Sequence, residues 1–99
     1  MAQSPIKLIP EKSLEKAVDI LKAIGHHDRL QIVNILMKDE CQVGVLVDIL
    51  GKEESLISQQ LSRLRLRGIV KSRRDGNKVY YSFANNSIKK IVKSIISES

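Results

Sequence analysis

The chain has one cysteine, Cys41, among 99 residues. A single thiol excludes an intramolecular disulfide framework and a multi-cysteine zinc site within one chain. Also lacking is any apolar run near the roughly 18–20 residues that a membrane span needs. Met1–Pro10 carries Lys7, Pro5 and Pro10 where a signal peptide would carry an apolar stretch. The expectation is a cytoplasmic, nucleoid-associated chain. The inventory of catalysis is missing too: no Ser/His/acid set, no phosphate-binding glycine loop and no carboxylate pair in an apolar segment stands out. Hence no enzyme, no cofactor and no metal site are expected. There is no internal repeat and no low-complexity segment. What is there, 42% apolar and 28% charged residues, is the composition of a globular domain rather than of a disordered tail. At this length folding buries only about 60–65% of the unfolded surface, so the core is thin and a second copy of the chain would help it.

The net charge of +6 is concentrated. Residues 1–51 carry −1, and residues 79–99 carry +2. The 27 residues 52–78 hold eight basic side chains against Glu53, Glu54 and Asp75, a net +5. Attraction to phosphates depends on local charge density, so a block of this kind points to a polyanion more than the overall pI does. A solvated helix followed by a solvated hairpin would account for the same charge.

Residues 1–12 have no periodicity and read as an extended arm; residues 13–99 read as one domain. Ser13 is the expected cap of a first helix, with Leu14, Ala17, Val18, Leu21 and Ile24 at helical spacing and Gly25 at its end. A second helix starts near His27, and its nearly continuous apolar stretch Leu30–Met37 makes it the central core helix. Lys38–Gln42 is a polar connection. Val43–Leu50 is a short helix closed by Gly51. A longer helix runs from Glu53 or Glu54 to Arg67. Ile69–Ser72 and Val79–Phe83 are β-like runs around Asp75-Gly76, a hairpin signal. Asn85, Asn86 and Ser87 offer caps for a last helix with the stripe Ile88, Ile91, Val92, Ile95 and Ile96. The order α-α-α-α-β-β-α, mainly helical with a small hairpin, spells a winged helix-turn-helix.

At 100° per residue, with Ile57 at zero, Leu61 and Leu64 fall at about 40° and 340° and form the buried face of the fourth helix. Ser55, Gln59 and Ser62 fall at about 160°, 200° and 140°, with Ser58 and Arg63 flanking them. Hydroxyls and amides reach base edges; Gln pairs with adenine and Arg with guanine. An ordinary polar surface is the plainer account, but the preceding turn and the basic hairpin point independently to recognition. Helix 54–67 is therefore expected in a major groove. In the hairpin 69–83, Arg73, Arg74 and Lys78 gather at the tip, suited to a phosphate backbone or a minor groove.

Three blocks, 21–30 (LKAIGHHDRL), 50–64 (LGKEESLISQQLSRL) and 68–82 (GIVKSRRDGNKVYYS), resemble the arsenic-repressor-like (ArsR/SmtB) family of bacterial transcription regulators. The resemblance spans about residues 13–97 and implies a homodimeric winged-helix repressor, paired through its first and last helices, that leaves DNA when an inducer binds. The family's Ser-x-x-Ser-x-His pattern maps onto Ser55, Ser58 and Gln60, which adds Gln60 to the implied DNA contacts and puts Gln where His is usual. His27 stands where the family has Pro. The sensor is not matched. Gln42 and Gly44 replace a metal-binding Cys-x-Cys, the last helix offers only Glu98, and Asn34 stands where one sulfide-sensing branch has a cysteine.

Cys41, between Glu40 and Gln42, reads first as a small half-buried residue and second as a redox switch. His26-His27 reads as turn filling before metal ligation. The first and last helices each carry an aliphatic stripe, and every such side chain left in water forgoes roughly 1.5–3 kcal/mol. Leu14, Val18, Leu21, Ile88, Ile91, Val92 and Ile95 are thus the expected dimer interface. The expected function is a dimeric, sequence-specific regulator, first of all a repressor, on a pseudo-palindromic operator in double-stranded DNA. The alternatives are an activator or anti-repressor on the same fold, and a winged-helix module that binds protein or RNA.

Overall fold

The computed structural model describes residues 5–96. Residues 1–4 of the expected arm, and Glu98, lie outside them. Five helices and one hairpin follow in order: α1 (Glu11–Ile24), α2 (His27–Leu36), α3 (Val43–Leu50), α4 (Glu54–Leu66), β1 (Val70–Asp75), β2 (Lys78–Phe83) and α5 (Asn86–Ile96). No described helix is long and apolar enough to cross a membrane.

Helix α1 starts two residues before the expected cap at Ser13. Pro10 sets the boundary: it disfavours helical geometry at Ile9, and its own ψ of 144° is extended. The amide of Leu14 donates to the Pro10 carbonyl (2.9 Å), and no side chain caps the helix. At the start of α2, Nδ1 of His26 accepts from the Asp28 amide (3.1 Å). His26 is therefore an N-cap, the turn-filling role expected of the pair. Asn85 caps α5 in the same way, accepting from the Ile88 amide (3.2 Å).

The core gathers Ile32, Val33 and Leu36 of α2, Leu46 of α3 and Ile57, Leu61 and Leu64 of α4, each almost wholly buried. Ile69 and Val70 close it beneath the wing, with Tyr81 and Phe83 of β2 packed against it. Residues Ile57, Leu61 and Leu64 are those that periodicity placed inward. Gly51, with φ of 65°, ends α3 in the left-handed region and turns the chain into α4.

The aliphatic stripe of α5 is split lengthwise, which corrects part of the expected dimer interface. Ile88 and Val92, one turn apart, are buried in the protomer's own core. Ile91 (44% exposed) and Ile95 (61%) lie on the outer edge of the stripe and stay in solvent. On α1, Leu14, Val18 and Leu21 are exposed, while Ala23 and Ile24 at its C-terminal end are buried. Thus α1 joins its own chain by its C-terminal half, from Asp19 onward. The longest dimension, 65 Å against 30 and 20 Å, and a radius of gyration of 16.4 Å record an extended molecule. A compact chain of this length would have a radius of about 13 Å.

Candidate nucleic-acid interface

Helices α3 and α4 form the helix-turn-helix. Helix α4 turns Ile57, Leu61 and Leu64 into the core, so its opposite side must face outward. Ser55, Gln59 and Ser62 are exposed there, with exposed Arg63 and half-buried Ser58 on its two flanks. Gln60 is not among them. At about 300° it lies against the buried face; it is only 6% exposed, and its Oε1 accepts from Nη1 of Arg29 at 2.7 Å. The motif position suggested a DNA contact; the side chain is instead spent inside the protomer. Arg29 also donates through Nε to the Ala23 carbonyl and through Nη2 to the Lys22 carbonyl (3.5 Å). One guanidinium therefore braces the C-terminal end of α1 against α4. Desolvation, and then the like charges of Arg63 and Arg67, push the Arg29 pKa down from its ordinary value.

The strands are longer than the β-like runs suggested. Val70 pairs with Phe83, Ser72 with Tyr81, Arg74 with Val79, and Asp75 with Lys78. The hairpin closes on two residues, Gly76 and Asn77. Gly76 has φ of 65°, and no non-glycine residue has positive φ among the described residues, the pattern of a type II′ turn. Alternation puts Val79, Tyr81 and Phe83 on one face and Tyr80 and Ser82 on the other. The three cations of the wing are consequently divided. Arg74 shares the face of Val79, whereas Arg73 and Lys78 share the face of Tyr80.

Arg73 is also not free. Its Nη2 and Nε (3.3 Å) donate to the two carboxylate oxygens of Glu40, and its guanidinium stacks 4.6 Å from the centre of the Tyr80 ring. The Glu40 carboxyl is held below its usual range by that hydrogen bond, and Arg73 is raised in return. Other cations of the basic block are engaged as well. Arg65 donates to Ser72 Oγ (3.2 Å), Arg67 pairs with Asp19 (3.1 Å) and Lys52 reaches Asp28 (3.9 Å). Among the described residues Arg63, Lys71, Arg74 and Lys78 have no ion pair. Lys71 was not singled out from the sequence. It is exposed and pairs with Ser82 on the Tyr80 face; strand alternation run back from the turn would have found it.

Cys41 closes a bridge onto β2: its amide donates to the Tyr81 carbonyl (3.0 Å), and the Tyr81 amide donates back (2.8 Å). The connection read as merely polar thus carries a single antiparallel bridge onto the wing at Cys41. Burial, and then Asp39, push the Cys41 thiol up, away from the thiolate that redox chemistry requires. Among the described residues no group of three or more His, Cys, Asp or Glu side chains could hold a metal ion.

Residues 26–72 match the family model described as "Bacterial regulatory protein, arsR family". Over 87 residues the chain is 39% identical to the nodulation protein NolR of Rhizobium meliloti, spanning 86% of this chain and 71% of that one. The chain belongs to the arsR family. It is 37% identical to the transcriptional activator HlyU of Vibrio cholerae over 83% of this chain and 76% of the relative. The solved structure of HlyU from Vibrio cholerae superposes with a TM-score of 0.81 at 35% identity, covering 87% of this chain and 94% of that one. The transcriptional repressor PagR of Bacillus anthracis superposes with a TM-score of 0.79 at 34% identity, covering 87% and 99%.

Proposed function

We propose that this arsR-family protein is a homodimeric, sequence-specific DNA-binding regulator of transcription acting in the cytoplasm on the nucleoid. The observation that carries the reading is the division of α4: Ile57, Leu61 and Leu64 have no exposed surface, while Ser55, Gln59 and Ser62 on the opposite face are exposed. In this reading Ser55, Ser58, Gln59 and Ser62 meet base edges in the major groove. Arg63, Lys71, Arg74 and Lys78 meet phosphates, and Arg73 joins them only after leaving Glu40. Leu14, Val18, Leu21, Ile91 and Ile95 pair with a second copy, so that two α4 helices meet half-sites about 34–36 Å apart.

Selection from random duplexes with the purified chain, with and without a reductant and a chelator, tests this. A pseudo-palindromic consensus is expected under all conditions. Enrichment of no sequence, or binding that ignores salt, would sink the reading. The sign of regulation has two precedents among relatives: HlyU is named an activator and PagR a repressor. Repression remains the first reading, and the position of the selected site relative to a promoter, with transcription measured in its presence, decides it.

A further inference from the structure

The last turns of α1 and the C-terminal half of α4 enclose a cleft of about 210 Å³ lined by Asp19, Lys22, Ala23, Arg29, Arg63 and Arg67. Four cations therefore meet one carboxylate, and that carboxylate is already paired with Arg67 (3.1 Å). The Arg29 fork is turned to the α1 carbonyls and Gln60. Nη1 of Arg67 donates to the Arg63 carbonyl (3.1 Å), which holds the two arginines side by side. Lys22 and Arg63 are exposed, and neither side chain has an ion pair or hydrogen bond among the described residues. Helical geometry puts Arg63, Arg67 and Gln60 at about 240°, 280° and 300°, on the flank of α4 that faces α1 rather than on the Ser55–Ser62 face.

We infer that this cleft binds a tetrahedral oxyanion of the phosphate class, gripped by Arg63 and Lys22 with Arg29 and Arg67 behind them. Guanidinium forks match the oxygen spacing of such an anion, and an ammonium supplies a movable point charge. The only apolar lining residue is Ala23, which disfavours an apolar ligand. The volume is below the roughly 300–1,000 Å³ of sites for drug-sized molecules. It suits a small anion with its remaining water. The repulsion that Arg63 and Arg67 exert on Arg29 is relieved by a bound anion, which also bridges α1 to α4. The phosphate can be free in solution or belong to the backbone of a bound duplex.

Thermal unfolding of the whole chain in sodium phosphate and in sodium chloride, at matched ionic strength and pH, tests the site. A saturable rise in Tm with phosphate is expected, together with broadening of the inorganic-phosphate ³¹P resonance. The double variant Lys22→Gln with Arg63→Gln changes two solvent-exposed side chains, so it should fold, melt in chloride at or above the parent and lose the phosphate-specific rise. Arg63→Lys should keep part of it. Equal melting of the parent in both salts, or a full phosphate rise in the double variant, overturns the inference. Adding the selected duplex to the phosphate-loaded chain separates the two sources. Release of inorganic phosphate assigns the cleft to the DNA backbone, and retention assigns it to the free anion. The first arm contains no DNA, so a chain that binds phosphate but no duplex keeps this site while losing the regulator reading.

Discussion

Gln59 of α4, Arg74 of the wing and Arg29 of α2 should each answer substitution in a different way. Gln59 faces outward and is expected to read a base: Gln59→Ala should cost about 1–3 kcal/mol on the selected site and little on random duplex. Arg74, unpaired on the wing, should on replacement by Ala weaken both complexes alike and flatten the salt dependence. Gel shifts on the two duplexes over a salt series check both; equal losses for both variants would refute the division. Arg29, by contrast, acts through the fold. Arg29→Ala strands the buried Gln60 amide and frees two α1 carbonyls, so stability should fall by about 1–3 kcal/mol. That corresponds to a Tm lower by at least about 4 °C for a chain of this size. Gln60 itself marks a limit of reading by motif. The family pattern gave its position a functional expectation, while helical geometry, applied to that one residue, places it toward the core. Its partner Arg29 lies 31 positions earlier, and no local pattern announces so distant a hydrogen bond.

Among the elements, the wing is the one whose state is adjustable. Glu40 holds Arg73 in an intramolecular pair across its face, and Cys41 pins the same edge to Tyr81. Glu40→Gln should release Arg73, tighten binding to all duplexes and steepen the salt slope by about 0.9 per arginine released. An unchanged slope would mean that Arg73 never reaches phosphate. The pair also has a pH signature. The folded-state pKa of Glu40 is depressed, so its contribution is present above the ordinary carboxylate range and is lost as pH falls through the lowered value. Amide shifts of Arg73 and Tyr80 should therefore stay constant across neutral pH and move only in acid. The helices were legible from periodicity, the α3–α4 turn from Gly51, and the hairpin from Asp75-Gly76. Strand length was not, because Arg73 and Arg74 have weak β character and are held in the ladder by their partners Tyr80 and Val79. The start of α1 was misplaced because a serine cap signal competed with Pro10, and the proline prevailed.

For the whole molecule, pairing through α1 and α5 is expected to rest on five side chains. Leu14, Val18, Leu21, Ile91 and Ile95 are all at least 38% exposed. Ile95→Glu or Leu21→Glu should give a monomer by analytical ultracentrifugation without lowering helicity in the core, and the monomer should lose the selected site far more than random DNA. A dimer that survives both changes would place the interface elsewhere. Half of the stripe on α5 misled the sequence reading because periodicity reports only that a face is apolar. Ile88 and Val92 turned out to serve the protomer's own interior.

Helix α1 has a further consequence. Its first two turns, residues 11–18, are exposed throughout in their own protomer, and an isolated helix of that length is marginal in water. Dilution should then unwind this segment before anything else melts, seen as a concentration-dependent loss of helical ellipticity and early cleavage near Leu14 by a protease. Cellular abundance would thereby set the fraction of chains equipped to grip an operator, a dosage control that needs no small-molecule signal.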